Sequence, residues 1–324
     1  MYSIEQLQQK ISSSLKELPL YGEPSGLYKP ISYTLEQGGK RIRPLFVLIS
    51  NQLFGGDPDE ALPAATAIEI FHNFTLLHDD IIDKAPLRRG FETVYQKWNT
   101  NVAILSGDTM FAIAYGELSK SKPTLLPQLM KVFTQTAIEV CEGQQYDIEF
   151  EERKDVNLED YITMIRLKTA VLLAASLKIG AMVADASLPD ADKIYHFGIN
   201  LGIAFQLQDD LLDAFGNQAV FGKQTGGDIA TNKKTVLYLK ALELADDNTL
   251  LQLKELYSTT NAASDVKVKK VLDIYEKLNV RKVTEAIIGQ YYETAMTTLQ
   301  LIDIPEERKS VLRNLANAML KRDH

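Results

Sequence analysis

The sequence predicts an all-α protein of about ten to fourteen helices. Apolar residues recur at helical spacing from the start of the chain, as at Ile4, Leu7, Ile11 and Leu15. A sustained alternation of apolar and polar residues, the pattern of a half-buried strand, is absent from the sequence. The 11 prolines fall mostly at the edges of the apolar runs, as in "GDPDE" and "SKPTLLP", where they mark turns.

Three long segments are apolar almost all round, which is typical of buried helices. They cover 61–80, 101–118 and 165–184. The same periodicity predicts further helices, which cover 191–212, 234–245, 264–278, 280–300 and 306–322. Because no linker or low-complexity tract separates these segments, we expect one domain over 1–324.

Composition limits the classes of function. Of the 324 residues, 45% are hydrophobic and 24% are charged, so a sizeable core is expected. The net charge of -8 argues against a nucleic-acid-binding protein but leaves room for an anionic substrate, because metal ions can reverse the local charge. No secretory signal is visible in the start "MYSIEQLQQK", no run of 18 apolar residues occurs, and Cys141 is the one cysteine. We therefore expect a cytoplasmic protein without a membrane span, with Cys141 as a small core residue.

Two acidic motifs of the same form end apolar helices. The segments "NFTLLHDDIID" (73–83) and "GIAFQLQDDLLD" (202–213) both contain D-D-x-x-D. At about 100° per residue, Asp83 lies about 40° and Asp80 about 100° from Asp79, so the three carboxylates share about one quadrant of the helix. The same arithmetic applies to the second motif, which contributes Asp209, Asp210 and Asp213. Such clusters suit Mg²⁺ that also binds phosphate oxygens, whereas the alternative is a solvated acidic helix end.

Polar and basic side chains accompany both motifs. His72 lies about 20° from Asp79 on the helical wheel, and Gln206 precedes the second motif by one turn. Each cation taken alone is explained by a surface position, but together they suffice for two phosphate groups. They are Lys40, Arg41 and Arg43 in "GGKRIRP", Arg88 and Arg89 in "LRRG", Lys168 beside Thr169 in "RLKTA", and Lys223, Lys233 and Lys234 in "FGKQTGGDIATNKKT". The glycine-rich segment is a candidate lid.

The combination of these motifs resembles a known family. "GGKRIRP", "HNFTLLHDDIIDKAPLRRG", "AILSGDTMFAIA", "KTA", "FQLQDDLLD" and "FGKQTGGDI" followed by "NKKT" occur in the order typical of the trans-isoprenyl diphosphate synthases, or polyprenyl synthetases, over about 38–235. The resemblance implies an isoprenoid-synthase-type bundle of helices around a central cavity, usually as a homodimer. It also implies that isopentenyl diphosphate condenses head-to-tail with an allylic diphosphate of C5, C10 or C15, with release of pyrophosphate.

The resemblance also assigns roles to residues. Asp79, Asp83 and Asp209 would bind Mg²⁺, about three ions per active site with Mn²⁺ as an alternative, and Asp80, Asp210 and Asp213 would support them. The allylic diphosphate would be held by Arg88, Lys168, Gln206, Lys223 and Lys233. Isopentenyl diphosphate would be held by Lys40, Arg43, His72 and Arg89. The candidates for stabilising the allylic cation are the Thr169 hydroxyl, the Gln206 carbonyl and the Lys168 backbone carbonyl.

Product length is expected to depend on the residues before the first motif. Phe74 precedes Asp79 by five positions, and a bulky aromatic there resembles short-chain synthases. The motif also lacks a two-residue insertion found in many bacterial farnesyl synthases, so C20 is favoured and C15 comes next. On the helical wheel Phe74 lies about 140° from Asp79, so its place at the cavity floor follows from the resemblance alone. Alternatively, Phe74 packs against a neighbouring helix and Phe71 and Ile68 form the floor, which allows other lengths.

Four other functions remain alternatives. The first is a longer-chain synthase. A class I terpene cyclase would share the first motif, but it would normally replace the second and would not need "GGKRIRP". A non-catalytic partner subunit would typically lose its aspartates, whereas both motifs are intact here. A helical scaffold with acidic surface patches would not bind diphosphate with magnesium.

Overall fold

The computed structural model describes residues 2–216, 226–258 and 264–320. In chain order its elements are α1 (Ile4–Lys16), α2 (Ser25–Glu36), α3 (Ile42–Leu53), α4 (Pro58–Ile82), β1 (Leu87–Arg88), β2 (Phe91–Glu92), α5 (Val94–Lys97), α6 (Thr100–Leu118), α7 (Leu126–Glu152), α8 (Leu158–Ile165), a π-helical turn (Arg166–Ala170), α9 (Val171–Val183), α10 (Leu188–Phe215), α11 (Gly227–Ala230), α12 (Val236–Leu244), α13 (Asp247–Ser258), α14 (Ser264–Lys277), α15 (Val280–Gln300) and α16 (Glu306–Leu320).

The all-α prediction is confirmed. In these described ranges there are 15 helices if the continuous run 158–183 is counted once, slightly more than expected, and α5 and α11 are single turns of four residues. The three segments that are apolar almost all round become α4, α6 and the run from α8 to α9.

Local signals fix several helix ends. For α4, the Asp57 carboxylate accepts a hydrogen bond from Asp59 N at 3.0 Å, and Pro58 occupies the first turn, where its missing N–H costs nothing.

A short hairpin follows α4. Strands β1 and β2 pair antiparallel, with Leu87 opposite Glu92 and Arg88 opposite Phe91. The two turn residues, Arg89 and Gly90, have φ of 55° and 82°, which suits the two-residue turns that join twisted strands. The hairpin holds the "LRRG" arginines close to the end of α4.

The chain divides into two compact units, and the first comprises Met1–Thr134 and Ala175–Asp192. Its core is built where α4 packs against α3 and α6, with Phe46, Ile68 and Phe71 fully buried. The Ser50 hydroxyl donates to the Leu177 carbonyl at 2.6 Å, which ties α3 to α9. The buried polar group on α3 thus has its partner.

The second unit comprises Gln135–Ala174 and Lys193–His324. Its core contains the apolar face of α10, represented by Ile203 and Leu207, together with Tyr161 of α8 and Tyr275 of α14. Glycine allows α10 to approach the π-helical turn closely, since a Cβ at Gly202 would lie 2.6 Å from Ala170 Cα. The elements that carry the second acidic motif and "KTA" are therefore in direct backbone contact.

Two other expectations concern Cys141 and the membrane. The prediction of a core position for Cys141 is wrong, because the residue lies on the outward face of α7 and is exposed. None of the helices described for this chain combines the length and the apolar composition that a membrane span requires.

Candidate active site

The first acidic motif lies at the C-terminal end of α4, where its three aspartates have different surroundings. Asp79 is half-buried and Asp83 is exposed, whereas Asp80 is only 5% exposed. Arg88 Nε donates to Asp80 Oδ1 at 2.6 Å. Burial raises the pKa of Asp80, and the charge of Arg88 opposes that rise. Asp80 is therefore tied to the hairpin, while Asp79 and Asp83 lie nearer to solvent.

The two hairpin arginines line a small pocket in the first unit. Asn73 and Asp80 of α4 line it together with Arg88, Arg89 and Thr93. A site with two guanidinium groups and short polar side chains suits phosphate oxygens, which arginine binds in a forked geometry.

His72 of α4 lies beside Arg43, the second residue of α3. The distance from Arg43 Nη1 to His72 Nε2 is 3.1 Å. Burial and the charges of Arg43, Arg89 and Arg88 lower the pKa of His72 well below its usual value, so the imidazole is neutral near pH 7. Because a guanidinium can only donate, Nε2 accepts this hydrogen bond and the ring proton is on Nδ1. His72 is thus a neutral hydrogen-bond donor among arginines.

The "GGKRIRP" segment forms a tight turn before α3. Gly38 and Gly39 have φ of 72° and 136°. A Cβ at Gly39 would lie 2.8 Å from Arg89 Cζ, and Arg89 Nη1 donates to the Gly38 carbonyl. The glycines are needed both for the left-handed backbone and for the approach of Arg89. Lys40 is exposed, and Arg41 donates to Ser12 Oγ at 2.5 Å.

Glu69 is a buried acid that is not predicted as a site residue from the sequence. Asn73 Nδ2 donates to its Oε1 at 3.1 Å, and its Oε2 is buried with no hydrogen-bond partner. Burial raises the pKa of Glu69, and the charges of Arg43, Arg89 and Arg41 oppose the rise. An acid inside an apolar helix, one turn before His72, was the signal that could have found it.

Lys168 belongs to the π-helical turn, where the Val171 N–H bonds to the Arg166 carbonyl. Such turns within α-helices are frequent at functional sites. Lys168 Nζ donates to Asp147 Oδ2 of α7 at 2.5 Å. A Cβ at Gly143, one helical turn before Asp147, would lie 2.6 Å from Lys168 Cα. Only glycine at 143 lets α7 approach the turn this closely.

The second acidic motif lies in α10, where its middle aspartate is 4% exposed. Tyr161 Oη donates to Asp210 Oδ2, and Gln206 Nε2 donates to Asp210 Oδ1 at 3.2 Å. The Thr169 hydroxyl in turn donates to Gln206 Oε1 at 3.3 Å. Burial and the negative charge of Asp228 raise the pKa of Asp210 well above its usual value, while the hydrogen bonds from Tyr161 and Gln206 lower it. Neither Tyr161 nor Asp228 is predicted as a site residue from the sequence.

The last aspartate of the motif caps a short helix. Asp213 Oδ2 accepts a hydrogen bond from Asp228 N at 3.0 Å, at the start of α11. Of the lysines that follow, Lys233 is exposed, and Lys234 Nζ bonds to the carbonyls of Phe150 and Glu151. Lys223 lies outside the described residues.

Phe74 belongs to an aromatic cluster in the first unit. Its ring centroid is 5.2 Å from that of Phe111, 5.6 Å from Phe71 and 4.8 Å from His78. Phe74 itself is half-buried, whereas Phe71 and Ile68 are fully buried. Phe74 therefore both packs against a neighbouring helix and keeps part of its surface accessible.

The aspartates of both motifs offer the oxygen ligands that Mg²⁺ prefers. Over the described part of the chain, no group of three or more His, Cys, Asp or Glu side chains is assembled for a metal ion. Magnesium sites in phosphate-binding enzymes use one or two carboxylates together with phosphate oxygens and water. Within the first unit, Asp79 with Asp83 one turn later fits that kind of site, and within the second unit Asp209 on α10 does so by itself.

An all-α fold with two D-D-x-x-D helix ends and clustered cations defines a diphosphate-dependent prenyltransferase. The sequence model of the polyprenyl synthetase family matches residues 24–275, and the chain belongs to this family. It is accordingly a trans-prenyltransferase.

The chain is similar to several characterised members of the family. It is 37% identical over 310 residues to the geranylgeranyl diphosphate synthase of Sulfolobus acidocaldarius, covering 93% of this chain and 92% of the relative. The geranylfarnesyl diphosphate synthase of Aeropyrum pernix is 34% identical, with coverages of 90% and 92%. A crystal structure of a geranylgeranyl pyrophosphate synthase superimposes with a TM-score of 0.95 at 42% identity and covers 100% of both chains.

Proposed function

We propose that the protein condenses isopentenyl diphosphate with an allylic diphosphate to form an all-trans prenyl diphosphate of 20 carbons, with release of pyrophosphate. The observation that carries this proposal is the repeated design of the acidic motifs. In each, the middle aspartate is buried and hydrogen-bonded by the protein, Asp80 to Arg88 and Asp210 to Tyr161 and Gln206. The similarity to geranylgeranyl diphosphate synthases supports the proposed product.

Asp79, Asp83 and Asp209 are the proposed magnesium ligands, supported by Asp80, Asp210 and Asp213. When bound, about three Mg²⁺ ions, or Mn²⁺ in their place, neutralise the charge on the leaving diphosphate. The middle aspartates contribute by holding their helix ends: Asp80 through the ion pair with Arg88, and Asp210 through its two hydrogen bonds.

The two substrates carry diphosphates that need separate sets of cations. Arg88, Lys168, Gln206, Lys223 and Lys233 are proposed to hold the allylic diphosphate. Lys40, Arg43, His72 and Arg89 are proposed to hold isopentenyl diphosphate. Arg88 and Arg89 line one small pocket, which supports a phosphate-binding role for these two residues. Neutral His72 can donate its Nδ1 proton to a phosphate oxygen.

The chemical step breaks the allylic C–O bond and forms a C–C bond to the alkene of isopentenyl diphosphate. The allylic cation needs dipoles and a dry site. The Thr169 hydroxyl, the Gln206 carbonyl and the Lys168 backbone carbonyl are proposed to supply the dipoles. The proton lost from the isopentenyl unit goes to the departing pyrophosphate, which leaves charge and atoms balanced.

Phe74 is proposed to set the product length. Its half-buried ring belongs to the aromatic cluster with Phe71 and Phe111, which stiffens it. A product of 20 carbons is proposed first and one of 15 next, while the similarity to a geranylfarnesyl diphosphate synthase keeps a longer product as the alternative.

The whole chain is proposed to act as one polyprenyl synthetase domain and to form a homodimer. Support for the dimer comes from large apolar side chains exposed on α6, Ile104 and Leu105, at 41% and 59%. Sedimentation equilibrium of the purified protein tests it: a monomer mass at micromolar concentration would contradict the proposal.

The function is tested by incubating the protein with labelled isopentenyl diphosphate, Mg²⁺ and each of the C5, C10 and C15 allylic diphosphates, then sizing the dephosphorylated products. A C20 product is expected. Asp79→Ala and Asp209→Ala should lower kcat by orders of magnitude with an unchanged circular dichroism spectrum, and exposed Asp273→Ala is the matched control. Cyclised hydrocarbon would indicate a terpene cyclase, and no elongation with any primer would indicate a partner subunit.

A further inference from the structure

A line of hydrogen bonds in the second unit links Tyr161 to the proposed cation-stabilising dipoles. It runs from the Tyr161 hydroxyl to Asp210, from Asp210 to the Gln206 amide, and from Gln206 Oε1 to the Thr169 hydroxyl. Tyr161 and Asp210 are both buried. Tyr161 is not among the residues to which a role in substrate or metal binding has been given above.

The line fixes which end of the Gln206 amide faces Thr169. A side-chain amide has an oxygen at one end and an NH₂ group at the other, and the two have opposite polarity. Because Asp210 accepts through Oδ1, it selects the NH₂ group of Gln206. The amide oxygen is therefore directed to the Thr169 hydroxyl. An amide turned the other way would present its positive end there.

Tyr161 holds Asp210 in the orientation that makes this selection. Its hydroxyl donates to Oδ2, the carboxylate oxygen that Gln206 does not use. Hydrogen bonds to a buried carboxylate are stronger than neutral ones, so the loss of one leaves the group less constrained. Burial and the charge of Asp210 raise the pKa of Tyr161 well above its usual value, which keeps the hydroxyl protonated as a donor.

We propose that Tyr161 is a positioning residue for the condensation, which acts through Asp210 to hold the Gln206 amide with its oxygen toward Thr169. This inference rests on the proposed function, in which that oxygen stabilises the allylic cation. Tyr161 affects the chemical step more than substrate binding, because Gln206 is the one proposed diphosphate-holding residue in this line of hydrogen bonds, and the cations that hold the diphosphates lie outside it.

Tyr161→Phe removes only the hydroxyl, and Tyr275→Phe is its matched control. Tyr275 is fully buried in the same unit, and its hydroxyl bonds to that of Tyr257 at 2.8 Å. For Tyr161→Phe we expect kcat to fall about tenfold, with KM for both substrates within about twofold of wild type. Tyr275→Phe should lose comparable thermal stability and keep the wild-type kcat. A drop in kcat of the same size in Tyr275→Phe would overturn the proposal.

A double-mutant cycle with Gln206→Ala separates positioning from a structural role. Once the amide is gone, Tyr161→Phe should lower kcat by less than about twofold, because both changes interrupt the same line. If Tyr161→Phe still lowers kcat tenfold in the Gln206→Ala background, the proposed role of Tyr161 is wrong, whereas the proposed function is unaffected. A wild-type protein that elongates no primer would overturn the proposed function and, with it, any role of Tyr161 in the reaction.

Discussion

Replacing Gly143 by alanine should misplace Lys168 without unfolding the protein. A Cβ at this position would lie 2.2 Å from Lys168 N and 2.6 Å from both Leu167 C and Lys168 Cα, and these are backbone atoms that cannot rotate away. Helix α7 and the π-helical turn must move apart by about 1.2 Å before the distance from that Cβ to Lys168 N grows from 2.2 Å to ordinary contact at 3.4 Å. The Lys168–Asp147 ion pair joins the same two elements one turn further along α7.

The expected change in the free energy of unfolding for Gly143→Ala follows from two opposing effects. Alanine in a helix is favoured over glycine by about 1 kcal/mol. Overpacking costs about 1–3 kcal/mol, and here the backbone clash places it at the upper end, so the free energy of unfolding should fall by about 2 kcal/mol net. A displacement of about 1 Å near the reacting atoms can lower the rate about 100-fold. We therefore expect a folded enzyme with a kcat reduced about 100-fold.

The assay combines steady-state elongation kinetics with urea unfolding, and Gly289→Ala is the control. Gly289 lies within α15 of the same unit, and a Cβ there meets nothing within 4 Å. Gly289→Ala should raise stability by about 0.5–1 kcal/mol and leave kcat unchanged. If Gly143→Ala behaves in the same way as Gly289→Ala, the close approach of α7 to the turn is not what positions Lys168.

Three further predictions concern the first unit. Arg88→Met leaves buried Asp80 without its partner and should lower the free energy of unfolding by about 2 kcal/mol, which is below the usual range for a buried pair because the Arg88 side chain is 30% exposed. Adding Asp80→Asn should restore most of this stability in urea unfolding. A double variant as unstable as Arg88→Met alone would contradict the prediction. The folded-state pKa of His72 lies well below 6.5, so the native state binds fewer protons than the unfolded state below that pH, and stability falls on acidification by up to about 1.4 kcal/mol per pH unit. His72→Gln should remove this contribution to the pH dependence of stability. If the free energy of unfolding changes equally with pH in the variant and the wild type between pH 7 and pH 5, His72 is not neutral in the folded protein. Phe74→Ala should lengthen the product in the sizing assay. Phe71→Ala removes a fully buried ring and should instead lower the free energy of unfolding by about 3–5 kcal/mol. An unchanged product from Phe74→Ala would show that Phe74 does not control product length.

The helices were predictable because their signal is local. Apolar spacing along 280–300 predicts α15 with the bounds that the structure has, and the segment 264–278 ends within one residue of α14. The acidic motifs were also visible, since helical geometry alone places three aspartates in one quadrant. The hairpin at Arg89 and Gly90 was not predicted, because two-residue strands carry too little alternation to be recognised.

The surroundings of the aspartates could not be predicted in the same way. Helical arithmetic gives directions around one axis, but whether Asp80 faces Arg88 depends on the path of the hairpin that follows. Tyr161 and Asp210 are 49 residues apart in the chain, so their contact depends on how α8 packs against α10. The same holds for Lys168 and Asp147, which meet because Gly143 lets their elements approach.

The π-helical turn makes the active-site segment sensitive to the number of residues that it contains. Where the Val171 N–H reaches back to Arg166, the helix contains one residue more than an unbroken α-helix would hold in the same path. Deleting one residue between 166 and 170 would therefore let 158–183 continue as a regular α-helix, with α9 kept in place. The side chains within the turn would shift in phase by about 100°, which would turn Thr169 away from Gln206. The number of residues in this segment is therefore itself a functional constraint.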